Sequence, residues 1–98
     1  MKCDVYLEND IYYIEADIPG YKKEDIKIDY NKGNINIVAK RNIPDKNYLL
    51  HEKLEETLNR HFYFKNIDDD NIIAKYEDGV LLISIPKKEV STSKIEIK

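Results

Sequence analysis

The chain holds one cysteine, three glycines and two histidines among its 98 residues. A lone Cys3 excludes an internal disulfide and fits a reducing compartment. Gly20, Gly33 and Gly79 stand far apart, so no glycine-rich loop exists to cradle phosphates, and ATP binding is not expected. His51 and His61 fall in no zinc-type spacing with the cysteine. No run approaches the ~18 uncharged apolar residues that span a bilayer. Residues 1–9 lack the basic-then-apolar layout of a signal peptide. A basic block is also missing: 16 basic and 19 acidic residues are spread along the chain, for a net charge of −3. Neither nucleic acid nor a membrane is therefore an expected partner. What remains is a small, soluble, cytoplasmic domain.

The residues present add a second constraint. Apolar residues make up 42% and charged residues 36%, too apolar for a disordered chain. A chain this short forms one domain with a modest core, which partners would help to complete. Ile occurs 15 times and Tyr 8 times, against 3 Ala. β-Branched and aromatic residues suit the half-buried face of a sheet.

Several segments alternate with period two, the mark of strands with one buried face. Val5 and Leu7 flank Tyr6. Tyr12, Ile14 and Ala16 alternate with Tyr13, Glu15 and Asp17, until Pro19-Gly20 breaks the pattern. Ile26, Ile28 and Tyr30 alternate with Lys27 and Asp29, and a hairpin turn at residues 31–34 leads to Ile35, Ile37 and Ala39. A polar loop at 41–47 follows. Residues 48–56 fit either a strand or a helical turn, since Leu50, Leu54 and Leu58 recur at helical spacing. Further on, Leu58, Arg60, Phe62 and Phe64 share a face, and Asp68 through Asp70 cap a short turn. Ile72, Ala74 and Tyr76 alternate before a turn at Asp78-Gly79. Residues 80–85 are apolar on both faces, as in an interior strand, and Pro86 ends them. Short strands joined by turns, with no long helix, imply an all-β antiparallel sandwich.

The segment 87–98 is polar and linker-like, yet it closes on Ile95-Glu96-Ile97. Two isoleucines spaced by one residue point to one side of an extended peptide. It is either one more strand or a detachable ligand for a groove.

No catalytic constellation is present, so an enzyme is not expected. His61 alternates out of the apolar face, and Cys3 reads as a passive thiol. Asp68 through Asn71 lacks the glycine and closing glutamate of a calcium loop, so no metal site is assigned. Arg60 is the odd residue. Among Leu58, Phe62 and Phe64 it either snorkels to the sheet rim or pairs with a carboxylate across a subunit contact.

Taken together these elements resemble the small heat-shock proteins built on the α-crystallin domain. Ala74-Lys75-Tyr76-Glu77-Asp78-Gly79-Val80-Leu81, with Ile83, Ile85 and Pro86 after it, is similar to the family's Asn/Asp-Gly-Val-Leu signature. Ala16-Asp17-Ile18-Pro19-Gly20 with Lys23-Glu24-Asp25-Ile26 resembles its early bacterial and plant motif. Glu52, Leu58 and Arg60 fall at family spacing, Leu58 standing for a usual Phe. Ile95-Glu96-Ile97 resembles the I-x-I anchor. The matches are collinear over nearly the whole chain.

The resemblance implies an immunoglobulin-like sandwich over 1–86 and a C-terminal extension over 87–98. It implies an ATP-independent holdase without cofactor that captures unfolding clients and associates with itself. Residues 47–50, with Tyr48 and Leu50, would pair with residues 4–7 of a partner around Val5, with Arg60 near that contact. Ile95 and Ile97 would dock on Ile26, Ile28, Ile72 and Ala74 of a neighbouring subunit; these four also read as plain core residues. Asp78, Gly79, Val80 and Leu81 would form the signature turn. The chain opens almost on its first strand, so the family's hydrophobic N-terminal arm is expected to be missing. The 41–47 loop is shorter than in many bacterial examples. Two other readings are a CS-type scaffold for other chaperones and a structural assembly or spore-coat component of the same fold.

Overall fold

A computed structural model describes residues 1–41, 46–50, 57–88 and 97. Seven strands form in chain order: β1 (Lys2–Glu8), β2 (Ile11–Asp17), β3 (Ile26–Asn31), β4 (Asn34–Lys40), β5 (Thr57–Tyr63), β6 (Ile73–Glu77) and β7 (Val80–Pro86). They build two antiparallel sheets. One has the order β1-β2-β7-β6 and the other β3-β4-β5.

Most buried positions are those the alternation selects, and the links add Ile18, Tyr21 and Ile67. Ile14 and Ala16 of β2, Ile35, Ile37 and Ala39 of β4, and Leu81, Ile83 and Ile85 of β7 form the core between the sheets. Each isoleucine buried here stabilises the fold by roughly 2 kcal/mol before conformational entropy is set against it. β7 is interior to its sheet, Ile83 lying opposite Ile14 on one side and Ala74 on the other. Only its Leu81, Ile83 and Ile85 face is buried, and Val80 and Leu82 point outward.

Turn chemistry fixes the register. Lys32 and Gly33 both take positive φ (48° and 84°), as do Asp78 and Gly79 (51° and 78°), the backbone that a two-residue hairpin asks for. The link from β2 to β3 crosses between the sheets and closes with a 3-10 turn at Lys23–Asp25. There the Asp25 carboxylate accepts the Lys22 amide at 2.9 Å. A second 3-10 turn, Asp69–Asn71, is capped by the Asp68 carboxylate, which accepts the Asp70 amide at 3.3 Å and the Asn71 side chain at 2.6 Å. Capping thus accounts for Asp68, the first of the aspartate run.

Two details depart from the alternation. Val5 and Leu7 lie opposite Ile14 and Tyr12 on the inner side of β1, yet they are 45% and 50% exposed. The three-stranded sheet leaves the inner side of this fourth strand uncovered. Residues 46–50 carry no regular element, and residues 51–56 lie outside the described ones.

Candidate functional site

Open edges are where this fold can act. A sandwich of four strands on three has four edge strands, β1 and β6 in one sheet and β3 and β5 in the other. Each presents unpaired backbone groups able to accept a further strand.

The first edge is β1. Its inner side offers Val5 and Leu7, and Cys3 there is half-buried against the core. Its outer side carries Tyr6, stacked on Tyr13 at 5.2 Å between ring centroids. The Tyr6 hydroxyl lies 3.4 Å from a Glu15 carboxylate oxygen. Partial desolvation, and after it that carboxylate, raise the Tyr6 phenol above its ordinary value. Tyr48, Leu49 and Leu50, in the segment expected to meet a partner's β1, are all exposed. Within one chain they do not form a strand with β1.

Arg60 sits on β5 opposite Ile37, on the inner side with Leu58 and Phe62. Leu58 and Phe62 are half-buried, but Arg60 is exposed at the edge. Among the described residues it has no hydrogen bond or ion pair. It reaches the rim rather than the core, which leaves its guanidinium accessible to a group outside the chain. His61 faces outward, its Nε2 3.0 Å from Asn34 Oδ1, a surface contact with no catalytic partner.

The third region lies between β3 and β6. Ile26 and Ile28 are inner residues of β3, Ile72 immediately precedes β6, and Ala74 is its second residue. None of the four is fully buried: the three isoleucines are half-buried against the core and Ala74 is exposed. Tyr76, an alternating apolar position and part of the signature match, holds this region together. Its hydroxyl is 2.7 Å from the Ile18 carbonyl and 2.8 Å from the Tyr21 carbonyl, tying β6 to the link that leads into β3. A tyrosine at an inner position near a sheet edge is the signal that could have found it, since its polar tip needs a partner. The signature turn closes the same end: the Ile18 amide donates to the Gly79 carbonyl at 2.8 Å. Asp78 and Val80 flank Gly79 at the surface, and Leu81 anchors the turn in the core.

Ile97 is 96% exposed, and Ile95 lies outside the described residues. Backbone pairing to the sandwich continues through Lys87, whose amide donates to the Asp10 carbonyl at 3.0 Å, and Lys88, which donates to the Asn66 carbonyl at 2.7 Å.

Residues 4–98 match the family described as the Hsp20/alpha crystallin family. The chain belongs to that family. It is 34% identical over 102 residues to a heat shock protein of Streptococcus thermophilus, covering 95% of this chain and 72% of the relative. It is 39% identical over 93 residues to an 18 kDa heat shock protein of Clostridium acetobutylicum, covering 89% of this chain and 62% of the relative. Among solved structures, the Hsp20-type fold recurs in a small heat-shock protein from Xylella fastidiosa, with TM-score 0.77 and 27% identity over 99% of this chain and 94% of that one. Heat shock protein 16.0 of Schizosaccharomyces pombe gives TM-score 0.74 and 28% identity over 99% of this chain and 80% of that one. The fold is the immunoglobulin-like α-crystallin sandwich. No helix among the described residues is long and apolar enough to cross a membrane.

Proposed function

We propose that this Hsp20-family chain is an ATP-independent holdase that binds partly unfolded proteins and limits their aggregation. The observation that carries the reading is the set of open apolar edges on a sandwich of this family, above all Val5 and Leu7 on β1 and the half-buried Ile26, Ile28 and Ile72 beside β3 and β6. An unfolding client offers extended apolar strands, and such edges accept strands. An exterior rich in charge keeps a loaded complex in solution. Family membership supports this over a CS-type scaffold or a spore-coat component.

The finer assignments belong to the same proposal. Residues 1–86 form the working sandwich and 87–98 a C-terminal extension. Two chains associate when Tyr48 and Leu50 of one meet Val5 on β1 of the other, with the exposed Arg60 near the contact. Ile95 and Ile97 dock on Ile26, Ile28, Ile72 and Ala74 of a neighbour, building assemblies larger than a dimer. The solved Xylella fastidiosa relative has a distinct high order structure. No cofactor, metal, nucleic acid or membrane takes part, and the site of action is the cytoplasm.

Light scattering of a heat-unfolding client decides the matter. Suppression at comparable molar ratios, unchanged by adding or removing nucleotide, is expected. No suppression at a molar excess of the chain would refute the holdase.

A further inference from the structure

The strand register brings together side chains that the sequence scatters. On the outer face of the four-stranded sheet, one row runs Tyr6, Tyr13, Ser84, Ile73, and the next runs Asp4, Glu15, Leu82, Lys75. A third runs Lys2, Asp17, Val80, Glu77. An outer face is ordinarily polar. This one carries the Tyr6–Tyr13 stack, a 63% exposed Ile73, an exposed Val80 and a half-buried Leu82. The outer face of the other sheet carries Val38 and an exposed Tyr63 but is otherwise polar, with Lys27, Asp29, Asn36, Asn59 and His61.

Charge is equally uneven. Asp4, Glu8, Glu15, Asp17 and Glu77 line the apolar patch, against Lys2 and Lys75. The chain's net charge of −3 is therefore carried by this face alone, and the rest of the chain is balanced. Asp4 and Glu15 stand directly opposite each other on adjacent strands, an arrangement of like charges that repels. A cation laid across them relieves that repulsion.

We propose that the outer face of the β1-β2-β7-β6 sheet docks extended cationic apolar segments of unfolding proteins, its aromatic and aliphatic residues taking their apolar side chains and its carboxylates their lysines and arginines. This rests on the holdase reading and gives it a client preference. It uses the outward side chains of this sheet rather than the unpaired backbone groups of β1 and β6, so docking leaves those backbone edges open. Charge complementarity selects the client, while burial of the apolar side chains holds it.

Two peptides of about eight residues, long enough to run the ~23 Å of a seven-residue strand, test this with the full chain. In one, pairs of leucines alternate with pairs of lysines, so that each side of the extended peptide presents both; in the other, glutamates replace the lysines. Fluorescence anisotropy is expected to give the lysine peptide at least about tenfold tighter binding in low salt, a gap that closes as salt screens the face. The combined Asp4→Asn, Glu15→Gln and Asp17→Asn variant, all surface changes, is expected to remove most of the preference. Ile73→Ser is expected to weaken both peptides. Equal binding of the two peptides, or a preference that survives the triple variant, overturns the proposal. So does an Ile73→Ser chain that changes oligomer size and not peptide affinity, because the face is then a contact between copies. A chain that suppresses aggregation but binds both peptides alike keeps the holdase reading and loses this one. A chain that discriminates between them without suppressing aggregation does the reverse.

Discussion

The Phe64 amide donates to the Gly33 carbonyl at 2.9 Å, which pins the β3–β4 hairpin onto the exit of β5. The approach is so close that a Cβ on Gly33 would lie 2.5 Å from the Phe64 carbonyl oxygen and 2.9 Å from the Tyr63 ring. Gly79, the glycine of the signature turn, has more room, its nearest neighbour being the Pro19 Cα at 3.3 Å. Both need positive φ, but only Gly33 adds a backbone collision. Gly33→Ala is therefore expected to cost about 2–4 kcal/mol, against about 1 kcal/mol for Gly79→Ala and 1–3 kcal/mol for Gly79→Val. Urea denaturation of the three variants checks the order.

Tyr76→Phe keeps the ring and removes the hydroxyl shared by the Ile18 and Tyr21 carbonyls. A loss of about 1–2 kcal/mol in unfolding free energy is expected, because two partly buried carbonyls lose their donor. Faster amide exchange in the 18–25 link should accompany it. An unchanged denaturation midpoint would show that water replaces the hydroxyl without cost.

Arg60 gives a sharper separation. Its side chain is exposed and unpaired among the described residues, so Arg60→Ala should change the stability of the single chain by no more than about 0.5 kcal/mol. If a partner carboxylate meets it in a dimer, dissociation should become easier by about 2–5 kcal/mol. Sedimentation over a dilution series reads the second quantity, and denaturation of the dissociated chain reads the first. Unaltered sedimentation would remove Arg60 from the contact.

Replacing both Ile95 and Ile97 with Ala should shift any assembly larger than a dimer to smaller size while the sandwich melts where it did. Two buried isoleucines contribute roughly 3–6 kcal/mol gross, most of it offset by ordering the tail and by association entropy. Each bond is then weak, and several tails acting together hold the assembly. Size-exclusion chromatography with parallel melting curves decides it. A collapsed melting temperature would make the pair an ordinary strand of its own sandwich.

The core strands were legible because burial imposes a local rhythm. Ile14 and Ala16, Ile35 through Ala39, and Leu81 through Ile85 alternate because each strand has one face packed against the opposite sheet. Hairpins were legible for a similar reason, since Lys32-Gly33 and Asp78-Gly79 take backbone angles that few residues tolerate. Val5, Leu7 and Arg60 obey the same rhythm yet stay exposed, because their exposure depends on how far one sheet overlaps the other. No local pattern encodes that overlap. The apolar, acidic outer face was invisible for a related reason: Tyr6, Tyr13, Ser84 and Ile73 come from four strands and meet only once their register is known.

The pairing of β2 with β7, Ile14 opposite Ile83, joins the two ends of the sandwich's chain. Such a contact closes late, because the whole intervening loop must be gathered before the ladder returns any energy. On the ribosome, the β1–β2 hairpin is made before β7 and cannot finish its sheet until β7 has left the exit tunnel. Folding of the sheet is thus held back until β7 has emerged. In that interval the chain is itself an unfinished polypeptide with an unpaired strand, exposed to the aggregation it is proposed to prevent in others.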